Sequence, residues 1–129
     1  MAGVDAAVRR ACLALPEVSE RLSHGAPTFF IRGRTSFVSL LMAGHHDLEF
    51  PHLACAAPAG VQRELVETRA TAFFVPAYVG GRGWIGVRLD RDVSPAELAD
   101  LCEGAYRTVA PRTLVRRLDE AGGPPGARE

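Results

Sequence analysis

Apolar and polar positions repeat with two periods along this chain, one helical and one of two residues, and the switches between them mark its elements. Val8, Ala11, Cys12 and Leu15 fall at helical spacing, which predicts a first helix from Asp5, a candidate N-cap, to Leu15, stopped by Pro16. Thr28 to Ile31 reads as a short strand, Gly33-Arg34 as a turn and Thr35 to Leu41 as the returning strand. A third strand is expected at His46 to Phe50, ended by Pro51, after which 51–60 is Ala/Pro-rich and has no period. Val61 to Thr68 reads as a second helix with Val61 and Leu65 facing inward. Phe73 to Val75 and Trp84 to Leu89 are the last two strands, joined by a long Gly-containing loop. Ser94-Pro95-Ala96-Glu97 is a capping box with proline at the first helical position, opening a third helix that runs to about Val109. Pro111 interrupts it, and Arg112 to Asp119 adds a short terminal helix.

The order α-β-β-β-α-β-β-α predicts an α+β fold, a single five-stranded antiparallel sheet with helices packed on one face. One domain is expected over residues 1–120, with a disordered tail at 121–129, AGGPPGARE. The core is expected to include Val8, Leu15, Phe29, Ile31, Val38, Leu40, Leu65, Phe74, Ile85, Val87, Leu98, Leu101 and Val109.

Composition narrows the class without naming a function. Apolar residues make up 47% of the 129 and charged residues 23%, the usual balance of a globular domain. The 15 basic residues, all arginine, balance 15 acidic ones, so a dominant basic field of the kind that drives strong nonspecific nucleic-acid binding is not expected. No apolar run approaches a membrane span, and the start MAGVDAAVRRACLALPEV lacks the continuous apolar centre of a signal peptide, so a cytoplasmic location and no membrane partner are expected. Cys12, Cys55 and Cys102 form no CxxC pair. Cys12 and Cys102 fall on apolar helical faces, whereas Cys55, in ACAAPAG, is the one thiol whose context leaves exposure open, and so the one to test for reactivity.

Four places carry side chains with chemistry. In His45-His46-Asp47-Leu48-Glu49 strand alternation puts His45, Asp47 and Glu49 on one face, but the spacing matches no zinc or iron pattern and no metal or other cofactor is expected. Glu17, Glu20 and His24 form an acid/base set with no nucleophile beside it, so a solvated loop is the reading and catalysis is not expected. Gly80-Gly81-Arg82-Gly83 is either a flexible hairpin tip or a backbone nest for an anion, and it lacks the Lys-Ser/Thr of a P-loop. On the last strand, Ile85, Val87 and Leu89 form the core face, leaving Trp84, Gly86 and Arg88 on the open one. That face, with Tyr78 in the preceding loop, is a candidate platform for a small planar ligand; the alternative is that Trp84 packs beneath the nearby loop.

The segments ALPEV (Ala14 to Val18), GAPTFFIRGR (Gly25 to Arg34), FFVPAYVGGRGWIGVRLD (Phe73 to Asp90) and AYRTVAPRTL (Ala105 to Leu114) together resemble the MmcQ/YjbR family of small bacterial proteins, over roughly residues 8–118. The resemblance implies a sheet with helices on one face, similar to the secretion-chaperone-like fold and described as a double wing, and it implies DNA binding without catalysis. Two arginine-bearing tips, Arg32-Gly33-Arg34 and Gly81-Arg82-Gly83, would then touch phosphates as wings, with Arg88, Arg112 and Arg116 as further contacts, beside Arg117. Asp90, Asp92, Asp119 and Glu120 lie near enough in sequence to neutralise them, and Glu49 stands where family members often carry a basic residue. The alternative expectation is a small-molecule or peptide binder, in sequestration, resistance or a chaperone-like role, using the open sheet face around Trp84, Arg88 and Tyr78. The chain is expected to act as a monomer or homodimer.

Overall fold

The computed structural model describes residues 3–43 and 48–121. Its elements are α1 (Val4–Leu13), β1 (Val18–Ser23), β2 (Ala26–Ile31), β3 (Thr35–Leu41), β4 (His52–Cys55), α2 (Val61–Thr68), β5 (Phe73–Phe74), β6 (Ile85–Arg88), α3 (Pro95–Val109) and α4 (Arg112–Glu120). All strand pairings are antiparallel, in the spatial order β1-β2-β3-β4-β6-β5. The architecture is α+β as expected, with six strands rather than five.

The additional strand is β1, which covers the segment read above as a loop. It is an edge strand with only Val18 and Leu22 as apolar residues, and Leu22 is exposed, so no alternation announces it. It forms because β2 supplies its ladder and a two-residue turn reverses the chain. His24 and Gly25 both take positive φ, 52° and 81°, the mirror-image turn whose twist matches a hairpin.

The third strand also lies elsewhere than expected. Of the expected strand His46 to Phe50, the described part, 48–50, lies outside the strands of the sheet, and His45, His46 and Asp47 lie outside the described residues. The strand is His52–Cys55, directly after Pro51, whose carbonyl accepts the Leu89 amide at 2.9 Å. Pro51 therefore introduces a strand instead of ending one, a position where its missing N–H costs nothing. Alanine and cysteine signal a strand weakly, yet β4 is central in the sheet, and Leu53 and Cys55 are fully buried. Cys55 is thus a core thiol, which closes the question of its exposure, and burial pushes its pKa up.

One face of the sheet meets α1 and α3. Phe29, Ile31, Val38, Leu40, Leu53, Ile85 and Val87 all point into this core. Between Phe29 and Phe30 the register shifts, so that Phe30 pairs with Ser36 and Phe29 with Val38. Phe37 is the extra residue of this bulge and is fully buried, stacking edge-on against Tyr106 of α3 with ring centroids 5.6 Å apart. The Tyr106 hydroxyl donates to the Pro16 carbonyl at 2.8 Å, tying α3 to the link between α1 and β1. Leu65, Leu101 and Val109 pack at the margin of the core. Phe74 does not join it: in the two-residue β5, Phe73 takes the inward position and Phe74 turns to the other face.

The helix starts follow their caps. Ser94 Oγ accepts the Glu97 amide at 3.1 Å and Pro95 opens α3, as the capping box predicts. Asp5 is not the N-cap of α1; the helix begins at Val4, and Asp5 pairs with Arg9 at 3.2 Å within it. Residues 122–129 of the expected tail lie outside the described residues.

Candidate functional site

The face of the sheet away from the helices holds a groove of about 610 Å³. Its floor follows from register and from residue size. Thr28 pairs with Ser39, Ser39 with Ala54, Ala54 with Gly86 and Gly86 with Phe74, so one row crosses five strands. Thr28, Ser39 and Ala54 of that row line the groove, and beyond them the Phe74 ring covers Gly86. Thr28 Oγ1 donates to the Ala26 carbonyl at 3.0 Å and lies 3.2 Å from Ser39 Oγ. These bonds satisfy a threonine that is almost fully buried.

The wall of the groove is the loop between β5 and β6. Pro76, Tyr78, Val79 and Arg82 line it, and a single 3₁₀ turn, Gly80–Arg82, brings the chain back to Trp84. Gln62 of α2 holds this loop from behind, its Nε2 donating to the carbonyls of Gly80 at 2.8 Å and Trp84 at 2.6 Å. The segment read as a free hairpin tip is therefore fastened at both ends of the 3₁₀ turn. Trp84 is 4% exposed, and the Arg82 guanidinium carbon lies 5.3 Å from its ring centroid. Trp84 packs beneath the loop, the second of the two readings, and it is also among the residues that line the groove. Tyr78 is 81% exposed and has φ +66°, an unusual conformation for a tyrosine. His24, also left-handed at +52°, lines the opposite rim.

Arg88 is set apart from Trp84 and Tyr78, the other candidate ligand-binding residues. It lies on the open face, but Phe74 occupies the space over Gly86 that would have joined it to Trp84. The Arg88 guanidinium caps the Phe50 ring at 3.9 Å and holds Asp90 by two hydrogen bonds, at 2.9 and 2.7 Å. That bidentate contact lowers the Asp90 pKa. Phe50, His52 and Phe74 form an edge-on cluster beside the groove, with centroids 5.3 to 5.6 Å apart, and His52 Nδ1 lies 3.1 Å from the Phe50 carbonyl oxygen.

Of the candidate nucleic-acid residues, Arg32 and Arg88 are held by carboxylates, and the turn carrying Arg32 meets α4 at Glu17. Arg32 pairs with Glu17 at 2.9 Å, and the same carboxylate accepts from Arg117 at 2.8 Å. Arg32, ahead of Arg117, holds the Glu17 carboxyl below its ordinary pKa. Arg34, Arg112 and Arg116 are exposed and make no ion pair among the described residues, while Arg82 stands at the groove mouth. Of the acid/base set, Glu20 pairs with Arg9 at 3.0 Å, Glu17 with the two arginines, and only His24 reaches the groove.

Sequence reasoning missed Thr28, Ser39, Ala54 and His52 as groove residues. The available signal was weak: small or hydroxyl residues at alternate positions of APTFFI and TSFVSLL, which also describes an ordinary solvent face.

A crystal structure of the Deinococcus radiodurans protein DR2400, which carries the DUF419 domain, shares this fold at a TM-score of 0.71, covering 92% of this chain and 89% of that one. Identity is 19%, so the likeness concerns fold alone. No curated protein sequence matches this chain. The YjbR family model matches residues 13–108, from the end of α1 to the last turns of α3. That stretch carries every strand of the sheet and both walls of the groove, and on this match the chain belongs to the YjbR family.

Proposed function

We propose that this protein is a small-molecule-binding module whose ligand lies in the groove across the open sheet face. The observation that carries this reading is the groove itself. Its volume of about 610 Å³ is that of a site for a compact organic molecule, and it is lined by apolar and aromatic groups with a few hydroxyls to orient a ligand. No assembled nucleophile, base and oxyanion donor accompanies it among the described residues, so binding rather than turnover is the activity proposed.

A set of planar aromatic fragments screened by ligand-observed NMR tests the reading. Trp84 is the only tryptophan of the chain, so its emission reports on the groove directly. Fragments that bind should shift that emission, and Ala54→Leu, which adds carbon to the groove floor, should weaken them at least tenfold, about 1.4 kcal/mol. Far-UV circular dichroism of the variant should match the wild type. Fragments that bind equally well to Ala54→Leu would place the ligand elsewhere and overturn the proposal.

A nucleic-acid role is the second reading, favoured by one observation: Arg34, Arg112 and Arg116 are exposed cations without carboxylate partners among the described residues. If they touch phosphates, Arg34→Ala combined with Arg116→Ala should weaken binding to unrelated DNA duplexes alike. The log–log salt slope should fall by about 0.9 for each phosphate that is no longer neutralised. Fluorescence anisotropy at two salt concentrations measures both effects, and no wild-type binding at low salt removes this reading.

A further inference from the structure

Resting on the groove as a small-molecule site, we infer that its ligand is a planar aromatic anion, a fused-ring or biaryl carboxylate or phenolate. Arg82 carries the charge of the groove: among the described residues that line it, Arg82 is the only arginine and none is an aspartate or glutamate. This matters because the chain as a whole is neutral, and most of its arginines are held by carboxylates. Arg82 is an exception, with no ion pair among the described residues, and it stands at the mouth of the groove. A guanidinium in that position offers a planar fork of donors that suits a carboxylate.

The rest of the groove supplies a place for rings. Trp84 forms a buried aromatic wall beneath Arg82, and Tyr78 projects its ring into solvent from the same loop. Leu41, paired with His52, lies toward the opposite end of the strands from Trp84, and Leu48 lines the groove with it. The site is therefore asymmetric along its length, with a guanidinium at the Trp84 end and, at the other, leucines beside His52. A ligand oriented by it carries its charge near Arg82 and its apolar edge against Leu41 and Leu48. With Thr28 Oγ1 donating to the Ala26 carbonyl and Ser39 Oγ in turn donating to Thr28, the Ser39 hydroxyl on the floor can accept from one further polar atom between these ends.

Isothermal titration calorimetry with three probes of one shape tests this: 2-naphthoate, its neutral amide, and 2-naphthylmethylammonium. Naphthoate should bind about tenfold more tightly than the amide, the scale of one charge-assisted contact, and the ammonium should bind most weakly. Arg82→Gln, a substitution at an exposed position, should erase the preference for naphthoate over the amide. Equal affinities for naphthoate and amide, tighter binding of the ammonium, or a preference that survives Arg82→Gln each overturn the anion assignment. In those cases loss of binding in Ala54→Leu still upholds the groove as the site. Failure of all three probes to bind overturns both.

Discussion

Replacing Tyr106 with alanine is expected to destabilise the fold by about 3–5 kcal/mol, as for other large aromatic truncations in cores. Tyr106 is fully buried and is the largest such side chain among the described residues. It performs two separable tasks. Its ring stacks on Phe37, the residue that the β-bulge turns inward, and its hydroxyl donates to the Pro16 carbonyl 90 positions earlier. Tyr106→Phe should therefore keep the first and lose the second, costing about 1–2 kcal/mol because a carbonyl is left without its partner. Urea denaturation of both variants separates the terms. A Tyr106→Phe cost equal to that of Tyr106→Ala would mean that the hydrogen bond, not ring packing, holds α3 against the sheet.

Gly86→Ala is the second large effect, and it acts on the open face. A Cβ at Gly86 would lie 2.4 Å from Phe74 Cε2 and 2.5 Å from Cζ, closer than carbon atoms approach. The ring has little freedom to retreat, since Phe50 and His52 pack edge-on against it at 5.5 and 5.3 Å. The expected cost is about 1–3 kcal/mol of overpacking strain, despite the better strand propensity of alanine. The cause is tested by a double-mutant cycle with Phe74→Ala, in which Gly86→Ala should become neutral or stabilising. An undiminished cost in that background would place the strain in the backbone of β6. Because His52 lines the groove and touches Phe74, the single variant should also weaken any groove ligand.

How far these features were legible beforehand depends on how local their causes are. The α3 start was legible because a capping box is complete within four residues, Ser94 to Glu97. The faces of β6 were legible too, since Ile85 and Val87 alternate with Gly86 and Arg88, and the core side chains are the fully buried ones. β1 was not legible, because an edge strand needs only one partner and tolerates water on its flank. β4 was misplaced because Ala54 and Cys55 carry little strand preference of their own, and a central position in the sheet supplies what propensity does not. Trp84 and Tyr78 were found as candidates by their chemistry, and Arg88 with them. What separated Arg88 from the other two was Phe74, a residue assigned to the core.

The amino-acid sequence by itself determined the class of fold, the positions of the helices, the inward faces of the long strands and the family. Those properties rest on caps and periods that are read within one segment. Only the tertiary structure decided the site. Its floor is Thr28, Ser39 and Ala54, residues from three strands that become neighbours through the ladder pairings. None of them carries a signal alone, because a small residue makes a cavity only when the residues beside it across the sheet are small as well. The same holds for charge. Of 15 arginines in a neutral chain, Arg82 is set apart by its place over Trp84 in the lining of the groove, which the fold of its loop decides.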